Sequence, residues 1–223
     1  PHTKVLIAVG GATYTGWRNL NGAAIAKFVQ AFGLDGVDVD YEPSSTSCGL
    51  QNGQMRCSTD DEYIAAIRSI RAAVPRPYIV STATWSVGAY GEGQWQNAQP
   101  ISAYTGVALR PLKEAGNDLD IVNIMSYDAG NSYDPKEALD AYTHYFSGKV
   151  LLGLEVAPEA WGGHVISNAE VDSLAAYVKQ KGTAGMMLWA AYKQAQAGTP
   201  TVAQISSRVC NALGMWDCAT PMP

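Results

Sequence analysis

The chain has 223 residues, 47% of them hydrophobic and 16% charged, with a net charge of −5 and no run of basic residues. This balance excludes a disordered polypeptide and offers no electrostatic footprint for nucleic acid or an anionic membrane; a neutral ligand such as a sugar is compatible with it. No apolar run has the length of a membrane span, and the chain is long enough for one large domain.

No signal peptide is visible: the sequence opens with PHTK and enters the apolar run Val5–Val9 at once, so the expectation is that its start is cut. Lys4–Gly11, KVLIAVGG, predicts a strand buried on both faces and ended by Gly-Gly. Asn19–Phe32 has apolar residues at helical spacing, with Ala24, Phe28 and Ala31 in one stripe and Ile25, Val29 and Phe32 beside it.

Leu34–Glu42, LDGVDVDYE, alternates Val37, Val39 and Tyr41 with Asp38, Asp40 and Glu42. Period-two alternation predicts a strand with three carboxylates on one face and an apolar face opposite. Neighbouring Cα atoms on the acidic face stand roughly 6.5–7 Å apart. Like charges so close raise one another's pKa, so folding gains little from them. The arrangement points to acid/base chemistry or to a calcium or magnesium ion.

Pro43–Ser58 reads as a loop rich in Ser, Gly and Cys. A helix then starts at Thr59 with Asp60, Asp61 and Glu62 in its first turn, buries Ile64, Ile67, Ile70 and Val74, and ends before Pro75 and Pro77. Tyr78–Trp85 is strand-like. Gly88–Pro100 is a long Gly-rich stretch carrying two aromatics, more like a binding loop than a plain connector. Tyr104–Ala115 reads as a helix that Pro111 kinks or divides.

Leu119–Tyr127 is a further buried strand, Asn131–Pro135 a turn, and Pro135 suits the first position of a helix over Lys136–Phe146. A strand follows at Lys149–Val156, then the loop Ala157–Gly163. Ser167 with Glu170 predicts a capping box for a helix to Lys181. Gly185–Trp189 is the next strand and Thr201–Leu213 the last helix.

Six strands thus alternate with six helices, which implies an α/β fold with parallel strands; an open doubly wound sheet and a (β/α) barrel both satisfy it. No GxGxxG or P-loop follows any strand. Glu42, Trp85, Tyr127, Asp128, Glu155 and Trp189 collect at strand carboxyl ends, where function gathers in both architectures. Glu155 there either lines a cleft or forms an ion pair. Trp85, Trp95 and Trp161 either extend a cleft or pack on the surface. His2, His144 and His164 fit no triad or metal set.

The cysteines fall in two short-range pairs, Cys48 with Cys57 and Cys210 with Cys218, at separations of nine and eight residues. These predict two local disulfides and hence a secreted protein; the spacings match no common zinc pattern, and no His sits nearby.

Asp35–Glu42 resembles the DxxDxDxE signature of glycoside hydrolase family 18, the chitinases and endo-β-N-acetylglucosaminidases. KVLIAVGG is similar to the family's third-strand SxGG motif, NIMSYD to its sixth-strand motif, and LGLEVAPEAWGG and GMMLW to its seventh and eighth strands. The resemblance covers nearly the whole chain and favours the shorter plant-and-fungal type. It implies a TIM-type (β/α) barrel that is incomplete: one family-18-like catalytic domain over residues 1–223, N-terminally truncated, with about six strands and open edges prone to self-association.

The resemblance further implies hydrolysis of chitin or other N-acetylglucosamine oligosaccharides, with no cofactor and no metal. Glu42 would be the acid, Asp40 would orient the substrate's acetamido group, and Asp38 would share a proton with Asp40. Tyr127, Met125, Asp128, Trp189, Gly10 and Gly11 would contact the sugar. Ala8 stands where the family has a Ser that supports the first inward Asp, so a sugar-binding protein of weak or no activity is an alternative, as is an endo-β-N-acetylglucosaminidase.

Overall fold

The computed structural model describes residues 3–219; His2 lies outside them. Six parallel strands form one sheet: β1 (Leu6–Gly10), β2 (Gly36–Asp40), β5 (Ile79–Trp85), β6 (Ile121–Met125), β7 (Lys149–Glu155) and β8 (Gly185–Trp189), paired in that order. The six helices are α1 (Gly22–Ala31), α2 (Asp60–Ala73), α3 (Leu109–Ala115), α4 (Pro135–Tyr145), α5 (Asn168–Lys181) and α6 (Val202–Leu213). The alternation of elements is therefore as expected. Among the described residues, β1 and β8 each have a strand partner on one side only.

In a parallel sheet, register partners share a face. The pairs Ala8–Asp38, Asp38–Ser81, Ala83–Asn123, Trp85–Met125 and Glu155–Trp189 put the polar and aromatic positions on one face. Val37, Val39, Val80, Val122, Ile124, Leu152 and Leu154 point the other way and are buried with the helices. Ile67, Ile70 and Leu139 come from α2 and α4 to meet them and are fully buried. Each such side chain contributes about 1.5–3 kcal/mol on leaving water.

Several elements depart from expectation. Pro43–Ser58 contains a hairpin, β3 (Gly49–Gln51) with β4 (Gln54–Arg56), whose two turn residues Asn52 and Gly53 both have positive φ. The helix predicted from Tyr104 begins at Leu109, and Pro111 sits in its first turn, where a missing N–H costs nothing. On α1 only Val29 is buried; Phe28 and Phe32 are exposed and stack on each other, because this helix flanks an edge strand. Ser167 caps α5 by accepting from the Glu170 N–H at 3.2 Å, but the Glu170 carboxylate turns to His164 and leaves the box half made. The complete capping box is at α6, between Thr201 and Gln204.

The glycine-rich stretch 88–100 is packed rather than open. Ala89, Tyr90 and Trp95 are buried, and Trp95 lies against His144 and Tyr145. Glu92 within it accepts from the Met55 N–H at 2.6 Å and pairs with Lys113, tying the hairpin to α3. Disulfides join Cys48 to Cys57 and Cys210 to Cys218, as the spacing predicted.

Candidate active site

The acidic face of β2 is as the alternation required. Asp38 and Asp40 point into the concave side of the sheet, and Glu42 follows just past the strand's end. The fourth acid of the motif, Asp35, does other work at the opposite end: it accepts from Lys4 Nζ at 2.6 Å and from the Val5 N–H at 2.9 Å, fastening the start of β1 to β2.

Asp38 accepts hydrogen bonds from the Ser81 hydroxyl and from Asn123 Nδ2, the latter at 3.2 Å. Burial pushes its carboxyl above the ordinary range, and these two bonds pull it back. Both donors come from β5 and β6. Ala8, its register neighbour on β1, offers no hydroxyl.

The Asp40 and Glu42 carboxyls lie against each other and influence one another's protonation. Burial, then the charges of Glu42 and Asp38, hold Asp40 up to about 7. Burial raises Glu42 as well, as does the charge of Asp128, while the bond from Asp40 and the Ala12 N–H lower it. Both carboxyls are therefore raised, so that the pair resists losing its protons together. Asp40 Oδ1 is buried without a hydrogen-bond partner among the described residues.

The loop after β1 seats this pair. The Gly11 N–H donates to the Asp40 carbonyl at 2.8 Å. Gly10 has φ +121, and a Cβ there would lie 2.0 Å from that same carbonyl oxygen. Only glycine lets the chain cross so close. Gly11 stands beside the Asp40 carboxylate itself.

The carboxyl ends of β6, β7 and β8 supply the remaining wall. Tyr127 is buried, and its phenol is pushed up first by burial, then by Glu155, Asp40 and Glu42. Met125 closes β6 opposite Trp85, whose ring stacks on Tyr104 at 3.6 Å. Trp189 ends β8 and is 46% exposed. Glu155 both lines this wall and forms an ion pair, with Lys193 from the loop after β8. Asp128 accepts from the Trp161 N–H at 2.6 Å through one oxygen, while its own N–H donates to Glu159 Oε2 at 2.8 Å.

Ser81, Asn123 and Lys193 were not singled out from the sequence; a hydroxyl and an amide at inward positions of apolar strands were the available signal. His164, read as bland, is bonded to two carboxylates, Glu159 at 2.7 Å and Glu170 at 3.1 Å. Among the described residues no group of three or more His, Cys, Asp or Glu side chains is arranged to hold a metal ion, and no helix is long and apolar enough to cross a membrane.

The sequence matches Glycosyl hydrolases family 18 over residues 1–162, and the chain belongs to that family. It is 26% identical over 160 residues to Exochitinase 1 of Streptomyces olivaceoviridis, covering 65% of this chain and 26% of that protein, so it spans about a quarter of the relative's length. A GH18 chitinase from Pseudoalteromonas aurantia superposes with a TM-score of 0.62 at 25% identity, over 83% of this chain and 70% of that one. A fungal family 18 endo-β-N-acetylglucosaminidase shares the fold, with a TM-score of 0.60 at 16% identity over 96% and 72% of the two chains.

Proposed function

We propose that this chain hydrolyses β-1,4-linked N-acetylglucosamine polymers, chitin foremost, with retention of configuration and with Glu42 as general acid/base. The observation that carries the reading is the row Asp38, Asp40 and Glu42 along one face of β2, with the Asp40 and Glu42 carboxyls side by side and both raised. Family membership and the names of the relatives support the substrate.

In the proposed reaction the substrate's own acetamido oxygen attacks the anomeric carbon as the bond to the leaving oxygen breaks. Glu42 gives its proton to that oxygen. Asp40 accepts the acetamido N–H, for which its unpartnered buried oxygen is suited. As positive charge develops on the acetamido group Asp40 serves best as its anion, and Glu42 beside it takes the proton and becomes the armed acid. The oxazolinium ion so formed is stabilised by the Asp40 charge. Water then attacks the anomeric carbon, returns a proton to Glu42 and restores the acetamide.

Tyr127 donates its hydroxyl to the acetamido oxygen, and burial, with the neighbouring acids, keeps the phenol protonated. Trp189 floors the sugar ring, and Met125 packs beside it. The free oxygen of Asp128 takes a sugar hydroxyl. Gly10 and Gly11 hold Asp40 in place. The two disulfides favour an oxidising, extracellular setting. The one-sided pairing of β1 and β8 favours self-association, which light scattering over micromolar concentrations tests.

The shared fold of the fungal endo-β-N-acetylglucosaminidase makes release of N-glycans the second reading. Turnover of a chitin oligomer and of a glycoprotein, by wild type beside Glu42→Gln, tests both. Oligomer cleavage that survives in the variant sinks the mechanism. Tight oligomer binding with no product from wild type leaves a binding protein.

A further inference from the structure

The loop between β7 and α5 is fastened to the loop after β6 by two backbone–carboxylate bonds running in opposite senses. The Asp128 N–H donates to Glu159 Oε2 at 2.8 Å, and the Trp161 N–H donates to Asp128 Oδ1 at 2.6 Å. The backbones also touch: a Cβ on Gly162 would lie 2.5 Å from the Gly130 nitrogen. Asp128 itself adopts φ +56, a conformation this residue type tolerates when its side chain bonds locally.

The second oxygen of Glu159 lies 2.7 Å from His164 Nδ1, and His164 Nε2 lies 3.1 Å from Glu170 Oε2 in the first turn of α5. A neutral imidazole has one N–H and one lone pair. It satisfies one of these carboxylates and turns a lone pair toward the other. The imidazolium satisfies both. The clasp is therefore whole when His164 is charged. The groups facing it are Glu159 on its own loop and Glu170 on α5, with Asp128 behind Glu159. Burial lowers the His164 pKa, but the two carboxylates outweigh it and leave it raised. The clasp is intact below that raised value and is lost as pH rises through it.

This tightly held loop carries Trp161, which is 73% exposed. A fixed backbone bearing an indole that folding does not bury has the form of a ligand platform, since the flat apolar faces of sugar rings lie well on indole. It stands beside the chemistry: the residue that receives the Trp161 N–H, Asp128, also acts on Glu42.

We propose that Trp161 stacks a second sugar ring of the bound chain, beyond the ring over Trp189, and that His164 is the positioning residue that docks this platform on Asp128. The proposal rests on an N-acetylglucosamine polymer being the ligand.

The test is calorimetric binding of the N-acetylglucosamine hexamer and trimer to the full chain carrying Glu42→Gln, which suppresses turnover, at pH 6 and at pH 9. Added Trp161→Ala is expected to weaken the hexamer on the order of 5- to 10-fold, and the trimer less, with Trp161→Phe restoring most of the loss. The parent loses hexamer affinity between pH 6 and pH 9. Added His164→Gln binds the hexamer more weakly than the parent at pH 6, and the difference between the two closes by pH 9. If Trp161→Ala binds the hexamer as the parent does, the platform is wrong. If His164→Gln binds the hexamer as the parent does at pH 6 while remaining folded by circular dichroism, the clasp is wrong. A parent that binds neither oligomer overturns the substrate reading itself, which separates that failure from this one.

Discussion

Asp40 lies against Glu42, two residues further along the same face, while Asp38 accepts from Ser81 and Asn123. The three acids therefore divide into a proton-holding pair and an anchored third. Glu42→Gln is expected to reduce turnover on the order of 10³-fold, within the range of a lost general acid, with oligomer affinity largely kept. Asp40→Asn should reduce turnover comparably, because an amide carries no charge to meet the oxazolinium. Steady-state kinetics beside calorimetric binding checks both, and near wild-type turnover by either variant removes that residue from the mechanism.

The pair also fixes a pH dependence. The proposed mechanism needs a proton on this pair, and Asp40 is held up to about 7. The expected profile of kcat/KM falls on the alkaline side with a midpoint near that value. In Asp40→Asn the midpoint should move, because the partner that sets it is gone. A profile flat from pH 6 to pH 9 in wild type contradicts the assignment.

The same pKa bears on stability. A carboxyl raised on folding favours the folded state at pH below its unfolded value near 3.9, and this contribution disappears as pH rises through about 7. Asp40→Asn should therefore melt higher than wild type at pH 8, by several degrees for an effect of about 1–2 kcal/mol. The two should converge near pH 4. Calorimetric scans at the two pH values decide it; an equal difference at both counts against a buried ionised Asp40.

Asp38 receives two donors from β5 and β6, so the missing hydroxyl at Ala8 leaves it bonded. Ala8→Ser is expected to change turnover less than twofold. Asn123→Ala or Ser81→Ala should cost about 1–3 kcal/mol in transition-state stabilisation, a loss of roughly 5- to 150-fold, by removing a donor from a part-buried carboxylate. A large gain from Ala8→Ser shows that Asp38 is underserved after all.

Far from the site, Asp120 at the start of β6 joins Arg71, Arg76 and the Val80 N–H. Burial opposes its charge, but the Val80 and Arg71 bonds prevail and hold its carboxyl below the ordinary range. Its stabilising contribution is present above the unfolded carboxyl pKa and is lost as pH falls through the folded value. Asp120→Asn should lower Tm at pH 7, by a few degrees for about 1–2 kcal/mol, and by less near pH 3. Thermal melts at the two pH values provide the check.

The sequence told most where one periodicity ruled. Val37, Val39 and Tyr41 against Asp38, Asp40 and Glu42 left one reading of β2, and the two cysteine pairs left one reading of their loops. It told less where a strong signal sat in misleading company. Asn52-Gly53 is the turn a tight hairpin favours, but its strands are three residues each and lie inside a Ser- and Cys-rich stretch. Phe28 and Phe32 looked like core because periodicity marks an apolar face without saying whether a neighbour covers it. Ser81, Asn123 and Lys193 escaped because their partners are 43, 85 and 38 residues away, and local pattern carries nothing at that range. His164 escaped for a related reason: its two carboxylates are near in sequence, but the imidazole becomes informative only once the loop that joins them is folded.

The Gly11 N–H and the Ala12 N–H, which seat Asp40 and Glu42, both follow β1, and among the described residues β1 is bound to the sheet along one side. An edge of that kind is the first part of a sheet to fray. The acids are thus steadied by the segment that exchanges its amides soonest on warming. Catalysis should fade some degrees before the core melts, and a ligand bridging Asp40 to the opposite wall would protect β1 amides it never touches.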